Sequence, residues 1–248
     1  MGYWSQKDER KAQAKKHVDV LYGNYDVQIE HSVINSTVHR MDVMVDAIPQ
    51  VMSTHVVNMD TVSAILNFTE GKVAALNFAS YKNPGGRFMD GSSAQEECLC
   101  MESTLYPVLL AHSDYYAYNY TLLNNSLYTN AAIYSEDILF KRGDVSVKCD
   151  IITCAAPNFR AAKSYHRVSP TDNYRELKSR IEFMFKVAAF HKVETLILGA
   201  WGCGVFGQDP KVVAELMQNT LEYYPYFKKV IFAIPKGYNY DMFKEVFG

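Results

Sequence analysis

Short apolar runs alternate with longer amphipathic segments along most of the chain. Runs suited to buried strands occupy residues 72–79, 132–140, 149–155, 195–199 and 230–234. Segments with helical periodicity cover residues 60–68, 94–111, 172–191, 210–223 and 240–247. Strands that alternate with helices of this length predict a mixed, mostly parallel central sheet with helices on both faces. The expected fold class is therefore α/β, a three-layer α/β/α sandwich.

The first third of the chain has a less regular pattern. Residues 5–22 predict an opening helix, on which Lys7, Lys11 and Lys15 recur every four residues and share one face. We interpret that face as solvated rather than as a grip for a polyanion. A hairpin is expected at residues 27–31 and a strand at residues 55–57. Residues 114–130, rich in Tyr and Asn, have no clear period, and their tyrosines either cover the sheet or close over a bound base.

Composition favours one packed domain. The chain is 48% hydrophobic and 21% charged, with neither a linker nor a repeat, so we expect a single domain over residues 1–248 with an N-terminal helical extension at about residues 1–50. The formal net charge is −2, and no global positive field is expected to attract nucleic acid.

The sequence also indicates where the protein resides. No apolar run approaches the roughly 20 residues that span a bilayer, and the first 20 residues lack the pattern of a secretory signal. The five cysteines are odd in number and scattered, without the paired spacing of a zinc site. We expect a soluble cytoplasmic protein with reduced thiols, no metal and no membrane partner.

A polar loop of residues 80–97 joins the strand at residues 72–79 to the next helix. Its segment of residues 83–86, Asn-Pro-Gly-Gly, has the chemistry of a turn, and its glycines allow backbone N–H groups to approach a ligand. An ordinary strand-to-helix turn is an equally good interpretation. Ser93 and Glu96 fit a capping box, which gives Glu96 a structural alternative to a catalytic role. Glu97 follows at the start of the helix and can project toward whatever the loop holds.

A second loop, rich in glycine, follows the strand at residues 195–199. Asp209 and Pro210 are typical of a helix cap and a first helical turn, and loop amides beside a helix N-terminus suit a diphosphate. Phe206, among the glycines, either stacks on a ligand or plugs the loop onto the sheet.

The spacing of the glycines in this second loop also matches a dinucleotide fingerprint, G-x-G-x-x-G, at residues 202–207. That fingerprint requires an acidic ribose ligand at the end of the next strand, about 20 residues further on. Here the next strand ends in Pro235 and Lys236. A nicotinamide cofactor is therefore disfavoured.

Several ordered segments resemble the microbial poly(ADP-ribose) glycohydrolases. These are LNFASYKNPGGRFMDGSSAQEECL, SLYTNAAIYSEDILF, ITCAAPN and LILGAWGCGVFGQDP, and the resemblance spans roughly residues 54–232. It implies a macrodomain fold that binds ADP-ribose or poly(ADP-ribose) in a cleft without metal or cofactor. It also implies hydrolysis of the O-glycosidic bond between two riboses.

The resemblance assigns roles to residues at matching positions. Glu97 corresponds to the catalytic acid and base, and Glu96 to the residue that orients the ribose hydroxyls. Asn83 is expected at the distal ribose, and Pro157 and Asn158 near the adenosine. The remaining expected ligand-binding residues are Gly85, Gly86, Arg87, Gln95, Gly202, Cys203, Gly204, Val205, Phe206 and Gly207.

One departure from the family leaves a second function open. Arg87 stands where the family usually has a third glycine, and its side chain either pairs with phosphate or points outward. If Arg87 obstructs the cleaved ribose, the protein is a non-hydrolytic module that senses ADP-ribose or an ADP-ribose-derived nucleotide. We expect a monomer, with an ADP-ribosylated protein as a further candidate partner. The choices between polymer and single ADP-ribose units, and between exo and endo cleavage, stay open.

Overall fold

The computed structural model describes residues 3–40, 42–45 and 52–248. It opens with two helices, α1 (Tyr3–Asn24) and α2 (Asp26–Ile34). The opening helix is confirmed, whereas the hairpin at residues 27–31 is wrong because α2 covers those residues. Ile29 and Ser32, three residues apart, are both buried on one helical face. The end of the expected extension, near residue 50, falls outside the described residues.

In the part of the chain that the structure describes, a seven-stranded sheet forms the middle layer. Its strands are β1 (Thr37–His39), β2 (Ser53–Val57), β3 (Val73–Phe78), β4 (Ala132–Arg142), β5 (Val145–Cys154), β6 (Thr195–Leu198) and β7 (Lys229–Ala233). The order is β1-β4-β5-β3-β6-β7-β2. The pairs from β5 to β2 are parallel, and β4 is antiparallel to both of its neighbours. The mixed, mostly parallel sheet is thus confirmed.

Within the described residues, eight further α-helices connect or follow the strands. They are α3 (Thr61–Asn67), α4 (Gln95–Met101), α5 (Leu105–Ala111), α6 (Ser113–Tyr120), α7 (Phe159–His166), α8 (Pro170–Phe190), α9 (Pro210–Tyr223) and α10 (Tyr238–Phe247). The sequence pattern predicted neither α6 nor α7, and it did not predict the short strand β1.

The single helix predicted over residues 94–111 is two helices. Residues 102–104 leave the helix to pair with β4: Lys141 N–H donates to the Glu102 carbonyl at 2.8 Å, and Thr104 N–H donates to the Leu139 carbonyl at 3.0 Å. These bonds replace helical ones, so the break leaves few backbone groups unpaired. α4 is consequently short and ends close to the sheet.

Alternate residues of the sheet pack against different helical layers. On β3, Ala74 and Leu76 join a buried cluster with α8, α9 and α10. Val73 and Ala75 join the opposite cluster with α1 to α5. This period of two along a strand confirms the three-layer α/β/α sandwich. Within the described residues, no helix is both long and apolar enough to cross a membrane.

Candidate active site

A cleft of about 970 Å³ opens where the parallel strands β3, β5, β6 and β7 end. This position follows the rule that ligands of open α/β sheets bind beyond the carboxyl ends of the strands. Of the residues predicted from the sequence, those that line the cleft are Asn83, Gly86, Arg87, Gln95, Glu96, Glu97, Asn158, Gly202, Gly204, Val205 and Phe206. Over the described ranges, no cluster of three His, Cys, Asp or Glu residues could hold a metal ion.

Four predicted ligand residues do not line the cleft: Gly85, Pro157, Cys203 and Gly207. Gly85 has a φ of 66°, and a Cβ there would lie 2.6 Å from the Tyr106 ring, so only glycine fits. The Pro157 carbonyl accepts a hydrogen bond of 2.8 Å from Gln208 Nε2. These residues shape the loops that carry the site.

Glu96 points from the start of α4 back toward the end of β3. Its Oε2 accepts from Ser80 N–H at 2.7 Å, and its Oε1 accepts from Asn77 Nδ2 at 3.2 Å. The capping-box interpretation is wrong, because Ala94 is the N-cap residue and makes no side-chain cap bond. Burial raises the pKa of Glu96 to about 8, although both hydrogen bonds act to lower it. At neutral pH the Glu96 carboxyl is therefore mostly protonated.

Glu97 lies beside Glu96 and faces the first loop. Its Oε1 accepts a hydrogen bond of 2.9 Å from the backbone N–H of Arg87. A Cβ at Gly86 would lie 2.7 Å from Glu97 Oε1 and 2.8 Å from Glu96 Oε2. The two carboxyl groups thus converge on a backbone position where only glycine leaves them room.

Gln95 fixes the first turn of α4 to the sheet. Its Oε1 accepts from Phe78 N–H at 2.8 Å, and its Nε2 donates to the Leu76 carbonyl at 2.8 Å and to Thr61 Oγ1 at 3.2 Å. The side-chain amide is thus occupied at both ends by protein groups. Gln95 lines the cleft, and these bonds also set the direction in which Glu96 and Glu97 project.

The Arg87 side chain points outward. It is 66% exposed, and its Nε donates to Asp90 Oδ2 at 3.1 Å within the same turn. Only its backbone N–H serves the site, through the bond to Glu97. Of the two orientations left open by the sequence, the outward one is observed, so the guanidinium does not obstruct the carboxyl pair.

The glycine-rich loop presents unpaired backbone donors. The N–H groups of Gly204, Val205 and Phe206 have no hydrogen-bond partner in the part of the chain that the structure describes. Asp209 caps α9 as predicted, with its carboxylate accepting from Lys211 N–H at 2.8 Å. The helix N-terminus is thereby satisfied, so the successive loop amides are the groups left to bind an anion.

An aromatic wall stands between the two loops. Phe206 contacts Tyr128 edge-on, with ring centroids 6.2 Å apart, and Tyr128 stacks on Tyr81 at 4.2 Å. Phe206 is half-buried, so it packs on the wall and still borders the cleft. The sequence did not single out Tyr81 or Asn77, and it left Tyr128 undecided within the Tyr-rich segment. Their places after β3, in β3 and just before β4 become informative only when the strand order is known.

Comparison with known proteins decides the family. Residues 4–143, more than half of the chain, match the model of the microbial-type PARG catalytic domain, where PARG is poly(ADP-ribose) glycohydrolase. The chain belongs to this family. Among curated proteins, none matches it by sequence. The predicted resemblance is confirmed, the enzyme is a glycosidase, and the nicotinamide alternative is set aside.

Solved structures of glycohydrolases match over nearly the whole fold. The enzyme from Thermomonospora curvata is 28% identical with a TM-score of 0.85, over 97% of this chain and 100% of that one. Its complex with the inhibitor ADP-HPD is 27% identical with a TM-score of 0.84, over 96% and 99%. The Deinococcus radiodurans enzyme in complex with ADP-ribose is 30% identical with a TM-score of 0.78, over 88% and 96%.

Proposed function

We propose that the protein hydrolyses the ribose–ribose O-glycosidic bond of poly(ADP-ribose), or a related ADP-ribosyl linkage, with Glu97 as general acid and base. One observation carries this proposal: the Glu96 and Glu97 carboxyls and the unpaired amides of Gly204, Val205 and Phe206 border a single cleft of about 970 Å³. That volume lies within the range of pockets that enclose a small organic ligand.

The groups on the two loops suit different parts of ADP-ribose. The amides of residues 204–206 bind the diphosphate, because successive N–H groups form a concave site for anions. Asn83, exposed and with no side-chain partner among the described residues, binds the distal ribose. Glu96 accepts from the ribose hydroxyls, and Phe206 covers the sugar–phosphate chain from the aromatic wall.

The carboxyl pair supplies the proton that the reaction needs. In the free protein this proton resides on Glu96, whose buried carboxyl has a pKa of about 8. A ribose hydroxyl that donates to Glu96 stabilises the ionised form of that carboxyl, and Glu97, beside it, is the group placed to deliver a proton to the linking oxygen. The added negative charge of the ligand diphosphate favours keeping one proton on the pair.

The reaction then proceeds in two steps at the distal ribose. Glu97 donates its proton to the oxygen that links the two riboses, the bond from that oxygen to the anomeric carbon breaks, and an oxocarbenium-like centre develops. Water attacks this carbon while Glu97 takes up a proton from the water. The products are free ADP-ribose and a polymer end with a restored hydroxyl, and Glu97 is protonated again.

Digestion of labelled poly(ADP-ribose) tests this proposal. We expect free ADP-ribose to accumulate, with the size of the other products separating cleavage at chain ends from cleavage within chains. Binding of the polymer without release of ADP-ribose would instead support the sensing module. The outward Arg87, paired with Asp90, removes the obstruction on which that second function depended.

A further inference from the structure

Helix α7 carries an exposed, basic surface that the sequence pattern did not reveal. The exposed side chains on it and directly after it are those of Arg160, Lys163, Ser164, Tyr165, His166 and Arg167. Residues 151–171 contain no Asp or Glu. This part of the surface is therefore positive, although the formal net charge of the chain is −2.

The cations of this surface are not neutralised by acidic neighbours. Within the described residues, Arg160, Lys163 and Arg167 form no ion pair. Asp172, the next acidic residue along the chain, bonds instead to Arg175 at 2.8 Å. α1 differs, because its basic residues are interleaved with Asp8 and Glu9. Unpaired, exposed cations retain their attraction for an external anion.

This surface is continuous with the glycine-rich loop that borders the cleft. Asn158 lines the cleft and caps α7, with its Oδ1 accepting from Ala161 N–H at 3.1 Å. The backbone N–H of Arg160 donates to the Phe206 carbonyl at 2.9 Å, and its guanidinium lies 3.5 Å from the Gly204 carbonyl. A polyanion held in the cleft thus has a positive surface directly at the rim.

We infer that Arg160, Lys163 and Arg167, which we call the α7 face, bind the units of poly(ADP-ribose) that extend outside the cleft. The inference rests on the proposed function and adds a second contact area for the same substrate. Every unit of the polymer carries two phosphates and an adenine. Lys and Arg side chains bind these phosphates with release of counterions. Tyr165, 82% exposed on another side of α7, offers a ring on which an adenine can stack.

Two substrates distinguish the contribution of the α7 face from that of the cleft. One is polymer of about 20 units, and the other is a chromogenic aryl O-glycoside of a single ADP-ribose. For Lys163→Gln/Arg167→Gln we expect the KM for polymer to rise roughly three- to tenfold at low salt and to depend less on salt, because two phosphate contacts are lost. Hydrolysis of the aryl glycoside should stay at the wild-type rate, because it needs only the cleft.

Matched variants distinguish a specific effect of the α7 face on the polymer KM from a general effect of net charge or of protein stability. Lys15→Gln/Lys16→Gln removes the same charge from α1 and should leave both substrates unaffected, whereas Lys163→Arg/Arg167→Lys keeps the charge and should keep the polymer KM. Thermal unfolding of each variant reports the separate role of basic residues in the last turn of a helix. An unchanged polymer KM, or an equal loss on both substrates, would overturn the inference.

Polymer binding tests the α7 face independently of catalysis. Fluorescence anisotropy with labelled polymer should show weaker binding by Lys163→Gln/Arg167→Gln than by wild type, even if neither protein hydrolysed anything. Failure of hydrolysis would then count against the proposed function alone. Equal competition by single-stranded DNA of matched length and charge would show a general polyanion surface and would overturn the assignment to poly(ADP-ribose).

Discussion

The amide of Asn77 donates to Glu96 Oε1 at 3.2 Å from a fully buried position in the middle of the sheet. The oxygen of the same amide has no hydrogen-bond partner among the residues that the structure describes. A buried polar side chain that is half satisfied is costly, and sites where such a cost is retained are commonly functional. Asn77 holds the Glu96 carboxyl, which we propose orients the substrate, and its hydrogen bond makes that carboxyl easier to ionise.

Replacing Asn77 with Leu should move the pH dependence of the reaction. Its hydrogen bond lowers the pKa of Glu96, so without it the carboxyl pair keeps its proton to higher pH. We expect kcat/KM of the wild type to fall above about pH 8, and in Asn77→Leu to fall at a higher pH and from a lower plateau. Thr153→Val removes the other side-chain partner of Asn77, 3.3 Å away. This variant should leave the pH at which kcat/KM falls unchanged. Coincident profiles for Asn77→Leu and wild type would contradict this role.

Glu96 should also make the stability of the fold depend on pH. Burial raises its pKa from 4.5 to about 8, so between these values the folded protein binds more protons than the unfolded chain. The free energy of unfolding therefore falls as pH rises through this window. In Glu96→Gln, whose side chain cannot titrate, it should fall less than in the wild type. Thermal unfolding at pH 5 and pH 8 measures the difference. Glu215→Gln, at an exposed carboxyl on α9, should behave as wild type; a Glu96→Gln protein with the full wild-type pH dependence would exclude the raised pKa.

A single methyl group at Gly86 should abolish most of the activity. The Cβ of Gly86→Ala would lie within 2.8 Å of both carboxyl groups and would displace them. We expect kcat to fall about 100-fold or more, as for other displacements of about 1 Å at a reacting group. Gly143→Ala is the matched control, since Gly143 has a similar φ of 61° with nothing within 4 Å of an added Cβ. Comparable losses in both variants would mean that backbone strain, and not contact with the carboxyls, is the cause.

Replacing Arg180 should lower the stability of the fold. Its side chain, fully buried on α8, donates to Asn130 Oδ1 at 2.7 Å and to the Ala155 carbonyl at 2.6 Å. Arg180→Met would remove the partner of the buried Ala155 carbonyl and of the half-buried Asn130 amide oxygen, and we expect the free energy of unfolding to drop by about 3 kcal/mol. Denaturant titration gives the value. Arg175→Met, at a 70% exposed position on the same helix, should cost at most about 0.5 kcal/mol. A change as small as this at Arg180 would exclude a structural role for its guanidinium.

Local signals were enough to predict the regular parts of the fold. The start of α9 follows from Asp209 as cap and Pro210 in the first turn, and β3 follows from an apolar run. The misses arose where contacts distant in sequence decide the structure. Hydrogen bonds to β4 interrupt the helix at residues 102–104, although the sequence there has a helical pattern. Residues 27–31 are helical in α2, although so short a segment also suits a hairpin.

The candidate site could be predicted only in part for the same reason. The loops with Glu97 and Gly204 carry turn and anion-binding chemistry that is visible along the chain. The sequence does not distinguish Asn77 from the other residues of a buried strand, because nothing nearby in sequence indicates that Glu96 will lie against it. Tyr128 belongs to a segment without a period, and its place in the wall depends on stacking against Tyr81.

The rate of ADP-ribose release by Glu97→Gln is the most direct test of the mechanism. The amide keeps the size of the carboxyl but can neither donate nor accept the transferred proton. We therefore expect kcat on poly(ADP-ribose) to fall by about 100-fold to 10,000-fold, with calorimetric affinity for ADP-ribose close to wild type. Glu102→Gln, a carboxyl at the other end of α4, should remain active. Release at the wild-type rate by Glu97→Gln would contradict the assignment of Glu97 as the general acid and base.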